Sequence, residues 1–94
     1  MKCSVIVACY NPILSKVKFT LKTILQQDIK DIEIILVDDG SKDNQFQAVE
    51  QYLVQNNFKN YKFVANKINQ GTVKNIISGL NVCTGRYIKL LSPG

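Results

Sequence analysis

Two neighbouring carboxylates stand at the end of an apolar run. Asp38 and Asp39 follow residues 32–37, and Gly40 and Ser41 complete a turn. A carboxylate at a strand end can accept a hydrogen bond from the ring N–H of a base or from ribose hydroxyls, and two ionised carboxylates side by side favour a site that holds donors or a cation. The structural alternative is that Asp38 accepts N–H groups of its own turn and Asp39-Gly40 simply makes the turn.

Three further features could join the carboxylates in a site. Tyr10 leaves an apolar run where its ring could stack on a base, or it could be an aromatic lid over the core. The stretch 69–71, with Asn69 and Gly71, precedes a helical pattern. Free N–H groups at a helix start favour a phosphate. The same residues also fit the alternative of an ordinary loop and helix cap without a ligand. Lys74 could add charge to a diphosphate or could be an exposed lysine with no role.

The elements that must position these residues alternate regularly. Apolar runs predict strands at 3–9, 32–37, 61–65 and 86–91, and three- and four-residue spacing predicts helices at 13–27, 45–56 and 72–83. The last helix has its apolar residues at Val73, Ile76, Ile77, Leu80 and Cys83. The β-α-β-α-β-α-β order predicts an α/β fold, with a Rossmann-like parallel sheet that carries helices on both faces.

In such a sheet, ligands bind beyond the carboxyl ends of the strands. Four segments would meet there, and each is polar, contains glycine, or both. They are Ala8–Pro12, Asp38–Asp43, Asn66–Gly71 and Ser92–Gly94. We therefore expect the functional site at this edge of a single domain that covers residues 1–94.

Composition excludes several classes of function. The net charge of +5 comes from 12 Lys and Arg against 7 Asp and Glu, without a basic stripe with interleaved aromatics, so nucleic acid is not an expected partner. Three isolated cysteines without any histidine argue against a zinc site and indicate reduced thiols in a cytoplasmic protein. No signal peptide or membrane-spanning run is visible.

The four segments together carry a resemblance to a known family. The stretches SVIVACYN (4–11) and EIILVDDGSKD (33–43) resemble the first two strands of family 2 glycosyltransferases. Asn69-Gln70-Gly71, Lys74-Asn75, Gly79 and the stretch 85–91 resemble the later motifs of that family in order and spacing. The resemblance covers essentially the whole chain.

The resemblance implies the amino-terminal half of a GT-A fold, which binds a nucleoside-diphosphate sugar such as a UDP- or GDP-sugar. It implies that Asp39 binds the base, that Tyr10 lies beside it and that Asp38 shapes the same loop. Ala8, Asn69, Gly71 and Lys74 complete the implied nucleotide-sugar-binding set. The strand order implied by the resemblance is 3-2-1-4.

The resemblance also implies a divalent cation, Mn²⁺ or Mg²⁺. Ser92 and Gly94 stand where the family often has aspartate, and in a subset that reads S-P-G-D the metal-binding residue would directly follow Gly94. We therefore expect no metal ligand and no catalytic residue within these 94 residues, and a chain that is inactive alone as a truncated glycosyltransferase.

The implied activity is sugar transfer to an acceptor hydroxyl of a glycan or lipid-linked acceptor, in polysaccharide or cell-envelope synthesis. The full-length protein would work in the bacterial cytoplasm or at the inner face of the membrane, and the exposed sheet edge favours a homo-oligomer. The alternative is a non-catalytic nucleotide-binding module that acts through a partner. A dinucleotide-binding domain fails because no glycine-rich turn follows the first strand, and a response-regulator receiver fails because the acidic pair follows the second strand.

Overall fold

The computed structural model describes residues 2–27 and 31–93. Seven elements follow one another as the sequence predicts. They are β1 (Cys3–Cys9), α1 (Leu14–Leu25), β2 (Ile32–Asp39), α2 (Phe46–Gln55), β3 (Tyr61–Asn66), α3 (Thr72–Leu80) and β4 (Tyr87–Leu91). Among the described residues, no helix combines the length and apolar character needed to cross a membrane.

The four strands form one parallel sheet in the order β3-β2-β1-β4, which confirms the expected α/β fold and strand order. The register aligns the carboxyl ends of the strands. Cys9 at the end of β1 lies opposite Asp38, and Asp39 lies opposite Asn66 at the end of β3. The polar segments that follow the strands therefore start from one edge of the sheet.

The larger core lies between the sheet and the two helices α1 and α2. Val17, Leu21 and Ile24 of α1 are buried at helical spacing, and Val49 and Leu53 of α2 join them against the apolar side chains of β1 and β2. Strands β1 and β2 are covered on both faces, which explains their nearly continuous apolar sequence.

Helix α3 covers the opposite face of the sheet with small and polar residues. Its buried residues are Asn75 and Gly79, while Val73 and Ile77 are 72% and 48% exposed. A Cβ at residue 79 would come within 2.8 Å of a Val37 methyl group, so the helix crosses β2 at a distance that only glycine permits. Apolar spacing alone therefore does not identify the face that α3 turns to the sheet.

Strand β4 forms an edge of the sheet with little cover on either side. Tyr87 and Leu90 are 66% and 51% exposed, and Ile88 is also exposed. An exposed, apolar edge strand is a surface on which further polypeptide can pair or pack.

Candidate functional site

A pocket of about 340 Å³ opens at the carboxyl edge of the sheet. It lies between the ends of β1 and β4 and the start of α3, and its volume is at the lower end of the range typical of small-molecule sites. The site residues expected from the sequence that line it are Ala8, Tyr10 and Asp39. The structure thus brings together residues that are about thirty positions apart in the sequence.

Asp39 ties strand β2 to the loop before α3. One carboxylate oxygen accepts a hydrogen bond from the Gln70 amide at 2.8 Å and the other accepts one from the Gly71 amide at 3.0 Å. The residue is only 4% exposed, yet it lines the pocket. Because each carboxylate oxygen has a second lone pair, Asp39 still has acceptor capacity for a ligand.

The contact between Asp39 and the loop depends on a close approach at Gly40. This residue has a φ of +80°, and a Cβ there would lie 2.6 Å from the Asn69 amide nitrogen. Glycine therefore supplies both the left-handed turn and the room in which the two loops touch.

Asp38 belongs to a different network. It accepts hydrogen bonds from the Ser41 amide at 2.9 Å and the Ser41 hydroxyl at 2.5 Å. The Ser41 hydroxyl oxygen in turn accepts a hydrogen bond from the Asn11 amide at 2.7 Å. Asp38 is 1% exposed and holds the turn that follows β2, which contacts Asn11 after β1 through Ser41. This is the structural alternative that the sequence left open.

Tyr10 extends from the end of β1 at the mouth of the pocket. Its side chain is 55% exposed, so the ring is accessible rather than sealed as a lid over the core. The half-buried Ala8, two residues earlier, also lines the pocket and contributes only a methyl group. An accessible ring beside a small side chain leaves room for a flat ligand to stack.

The remaining expected residues lie around the start of α3. The Asn69 side chain accepts a hydrogen bond from the Gly71 amide at 3.0 Å, so it stabilises its own turn. The first hydrogen bond of α3 runs from the Asn75 amide to the Gly71 carbonyl, which leaves the amides of residues 72–74 without an acceptor inside the helix. Lys74 is exposed in the first turn and does not line the pocket.

Asn75 is a pocket residue that the sequence analysis did not select as a site residue. It is 2% exposed. Its side-chain Nδ2 donates to the Val37 carbonyl at 3.4 Å, and its Oδ1 accepts from Asn66 Nδ2 at 3.1 Å. The available signal was a polar asparagine close to the apolar residues Val73 and Ile76 of the predicted helix. Ser92 and Pro93, after β4, also line the pocket, as expected for the fourth converging segment.

Cys9 lines the same pocket from the end of β1. Burial, together with the nearby charge of Asp38, raises the pKa of its thiol to about 12. The thiol is therefore protonated at neutral pH and is a poor nucleophile, so Cys9 acts as a small apolar wall.

A second polar cluster lies away from the pocket and centres on Glu33 of β2. Its Oε2 accepts hydrogen bonds from the Ser4 hydroxyl at 2.5 Å and from the Thr84 amide and hydroxyl at 2.6 and 2.9 Å. Its Oε1 lies 3.2 Å from Lys62 Nζ of β3. The cluster therefore joins β1, β2, β3 and the connection between α3 and β4.

The surroundings of Glu33 act on its pKa in opposite directions. Burial raises the pKa, but the hydrogen bonds from Ser4, Thr84 and Lys62 outweigh burial and lower it to about 2. Because all these partners are donors and the carboxylate is 2% exposed, Glu33 is a structural anion rather than a proton donor.

The described residues do not form a metal site. In the ranges 2–27 and 31–93, no three His, Cys, Asp or Glu side chains lie close enough to hold an ion together. Asp39 lines the pocket and Asp38 precedes Asp39 in the sequence; both carboxylates accept hydrogen bonds from N–H or O–H donors.

Comparison with known proteins assigns the chain to a family. The sequence model of Glycosyl transferase family 2 matches residues 4–92. The chain belongs to that family. The matched range includes every residue of the pocket except Pro93 and leaves only the termini outside.

Curated relatives are similar over nearly the whole chain. The glycosyltransferase GlyG of Streptococcus pneumoniae is 36% identical over 88 residues, which are 94% of this chain and 28% of the relative. Poly-beta-1,6-N-acetyl-D-glucosamine synthase of Staphylococcus epidermidis is 30% identical, over 94% of this chain and 20% of that protein. The family 2 chain described here therefore spans about a quarter of the length of these relatives.

Solved structures of GT-A glycosyltransferases share the fold. Residues 1–349 of TarS from Staphylococcus aureus superpose with a TM-score of 0.80 at 32% identity, over 99% of this chain and 27% of that TarS fragment. The same fragment has also been solved with UDP-GlcNAc. A mannosyltransferase from Pyrobaculum calidifontis, solved with GDP-mannose and Mn²⁺, gives a TM-score of 0.83 at 24% identity, over 93% of this chain and 26% of that protein. At that identity the second likeness shows the fold alone.

Proposed function

We propose that this family 2 chain is the donor-binding part of a glycosyltransferase that moves a sugar from a UDP- or GDP-sugar to an acceptor hydroxyl. The observation that carries the proposal is the pocket at the carboxyl edge, where Tyr10 and Asp39 stand together beside the start of α3. The structure of TarS with UDP-GlcNAc supports a nucleotide sugar as the class of ligand.

In this proposal the base binds at Asp39. A buried carboxylate accepts the ring N–H of uracil or guanine through the lone pairs that the loop amides leave unused. The accessible Tyr10 ring stacks beside the base, and the small Ala8 side chain leaves room for it. Asp38 contributes indirectly, because it fixes the turn that carries Asp39.

The diphosphate extends towards the start of α3. The unpaired amides of residues 72–74 and the positive end of the helix favour an anion there. Lys74 in the first turn adds a charge that can reach over the phosphates, while Asn69 and Gly71 hold the preceding turn in shape.

A divalent cation, Mn²⁺ or Mg²⁺, is proposed for the full-length enzyme, because the resemblance to family 2 glycosyltransferases implies one. The described residues do not fit such an ion, because they offer no cluster of ligands. Its carboxylate ligand would then come from outside the described residues. No step of the chemistry is assigned to the ion within these 94 residues.

The proposed setting is bacterial glycan synthesis. Relatives include the synthase of poly-beta-1,6-N-acetyl-D-glucosamine and a Campylobacter jejuni glucosyltransferase that acts on an undecaprenol-linked glycan. By analogy we propose a glycan or lipid-linked acceptor, and a cytoplasmic location at the inner face of the membrane.

We propose that the 94-residue chain alone is inactive, because Asp39, the carboxylate among the described residues that line the pocket, is assigned to the base of the nucleotide and not to the acceptor hydroxyl. The alternative is a non-catalytic nucleotide-binding module that acts through a partner. The exposed β4 edge and the outward-facing α3 residues support self-association of the isolated chain as a homo-oligomer.

Calorimetry with UDP, GDP and CDP tests the proposal. UDP or GDP should bind more tightly than CDP, because cytosine presents an unprotonated ring nitrogen where uracil presents an N–H, and that nitrogen would face the Asp39 carboxylate. CDP matches UDP in ring size and phosphate charge, so the comparison of these two nucleotides isolates the contact to the base. Equal affinity for all three nucleotides would contradict base recognition by Asp39.

A further inference from the structure

The positive charge of the chain is concentrated at its start. Residues 1–27 contain Lys2, Lys16, Lys18 and Lys22 but no Asp or Glu, whereas the rest of the chain holds eight bases and all seven acids. The first 27 residues thus account for +4 of the net charge of +5. Three of these four lysines lie on α1.

The solvent side of α1 combines an aromatic ring with two of these lysines. Val17, Leu21 and Ile24 face the core, so Phe19 lies on the opposite side of the helix, where it is 69% exposed. Lys16 and Lys22 are three residues before and after Phe19, and both are exposed. Residues at this spacing are neighbours on a helix surface, so the two cations flank the ring.

Contacts within the described part of the chain do not account for this arrangement. The ion pair found in residues 2–27 and 31–93 joins Lys62 and Glu33, not a lysine of α1. Lys18 takes a different position, 5.8 Å from the centre of the Tyr52 ring on α2. Phe19, Lys16 and Lys22 are therefore available to a partner outside the domain.

We propose that this surface, Lys16, Phe19 and Lys22, binds the anionic headgroup surface of a lipid bilayer. Helices that lie in a membrane interface combine lysines with aromatic or leucine side chains that enter the headgroup region. The apolar stripe of α1 packs in the core, so Phe19 supplies the aromatic side chain on its solvent side. The lysines complement anionic headgroups, each strengthening binding by about fivefold, and the ring inserts among the headgroups. A convex helix face with a single ring suits a flat bilayer better than a nucleic-acid strand, which needs a groove with several stacking rings.

The position of α1 gives this contact a consequence for the pocket. Pro12 lines the pocket, and α1 begins only two residues later at Leu14. The first turn of α1, with Lys16, therefore lies beside the pocket mouth, and a bilayer against α1 would bring that mouth close to the headgroups. This consequence rests on the proposed function, whereas the lipid contact itself does not.

A single tryptophan, placed in turn on the exposed side of α1 and of α3, shows which of the two surfaces contacts the bilayer. The chain contains no Trp, so Phe19→Trp is a unique fluorescent probe at an exposed position. Its emission should shift to the blue with vesicles that contain phosphatidylglycerol and much less with pure phosphatidylcholine vesicles. Ile77→Trp on the exposed side of α3 is the matched control and should not shift. A shift at residue 77 and none at residue 19 would overturn the proposal.

Charge variants test the electrostatic part by vesicle sedimentation. Lys16→Gln with Lys22→Gln should weaken binding to anionic vesicles by about tenfold or more. The control is Lys59→Gln with Lys67→Gln, which removes the same charge from exposed positions elsewhere and should change binding much less. Equal losses in both double variants would overturn the assigned surface, as would a Phe19→Trp shift with single-stranded RNA but not with vesicles. Calorimetry with UDP reports on the proposed function separately.

Discussion

At the carboxyl edge of the sheet, Asp39 is placed to act in two ways. It holds the loop before α3 through the amides of Gln70 and Gly71, and it faces the pocket where we propose that a base binds. The neighbouring Asp38 is engaged by Ser41. Two adjacent residues of the same type therefore differ in role, because one points into its own turn and the other reaches across to another loop.

Replacing Asp39 should weaken nucleotide binding. Asp39→Ala removes the proposed acceptor for the base, and we expect UDP affinity to fall by about 1–3 kcal/mol in calorimetry. Asp43→Ala, an exposed carboxylate in the same connection, is the control and should leave affinity unchanged. Unchanged affinity of Asp39→Ala would remove this residue from the site.

A conservative change at the same position alters the hydrogen-bonding character of one Asp39 oxygen. Asp39→Asn retains one acceptor oxygen for the loop, loses the other of its two loop contacts, and presents an NH₂ group where the second carboxylate oxygen stood. That group can donate to the ring nitrogen of cytosine, so the preference for UDP over CDP should shrink or reverse in calorimetry. A preference that stays as in the wild type would mean that residue 39 does not read the base.

Glu33 should make folding stability depend on acid pH. Its pKa is about 2 in the folded chain against an ordinary 4.5, so its contribution is complete above about pH 4.5 and is lost as the pH falls towards 2. Glu33→Gln should lower the free energy of unfolding at neutral pH by about 1–3 kcal/mol. In this variant, that free energy should also decline less steeply as the pH falls from about 4.5 to about 2. The measurement is urea unfolding as a function of pH.

The control for that experiment is Asp31→Asn, an exposed carboxylate just before β2. It should leave both the stability and its acid dependence close to the wild type. If Glu33→Gln and Asp31→Asn behaved alike, the network around Ser4, Thr84 and Lys62 would not stabilise the fold.

At the scale of the elements, α3 departs furthest from the pattern in its sequence. Asn75 and Gly79 face the sheet, while Val73, Ile77 and Leu80 are exposed. The close approach at Gly79 brings the start of α3 and its amides to the pocket edge. A bulkier residue in its place would lift the helix from β2 and move the loop that Asp39 holds.

Gly79→Ala should therefore destabilise the chain although alanine favours helices. The added Cβ would lie 2.8 Å from a methyl group of the buried, stiff Val37 side chain. We expect crowding to cost about 1–3 kcal/mol against a gain of roughly 1 kcal/mol in helix propensity, so the net loss of stability should reach up to about 2 kcal/mol. Thermal unfolding measures it, and Val73→Ala on the exposed side should be close to neutral. A Gly79→Ala chain as stable as the wild type would show that α3 packs less closely.

The strands and their parallel order were predictable because β1 and β2 are buried on both faces and are almost wholly apolar. The convergence of Ala8, Tyr10 and Asp39 followed from the rule that parallel strands end at one edge. The hydrogen-bond partners did not follow, since neither composition nor spacing shows that Asp39 would bind the amides of residues 70 and 71. The packed face of α3 was also hidden, because a helix that approaches on Gly79 buries small residues instead of its apolar ones.

At the scale of the whole molecule, the described chain has one well-covered core and one open side. The sheet face packed against α1 and α2 is buried, whereas β4 and the outer side of α3 expose Leu90, Ile88 and Ile77. The chain spans about a quarter of the length of its relatives. The pocket lies where the covered strand β1 and the exposed edge strand β4 end side by side, because residues of both strands line it.

Sugar transfer by the 94 residues alone is not expected. The described residues hold no metal-binding cluster, and Asp39, the carboxylate among the pocket-lining residues, accepts hydrogen bonds from two loop amides. A coupled assay for UDP or GDP release from nucleotide sugars, with Mn²⁺ or Mg²⁺ present, should give the rate of the protein-free control. Release that depends on the cation would mean that these residues contain a carboxylate arrangement different from the one described.

The most direct test of the account is a crystal structure of this chain with UDP. We predict the uracil ring beside Tyr10 with its N–H directed at the Asp39 carboxylate, and the diphosphate near the amides at the start of α3. The loop at residues 69–71 should remain in contact with Asp39. A nucleotide bound away from this edge, or one that places its phosphates against Asp39 and its base in solvent, would contradict the assignment of the pocket.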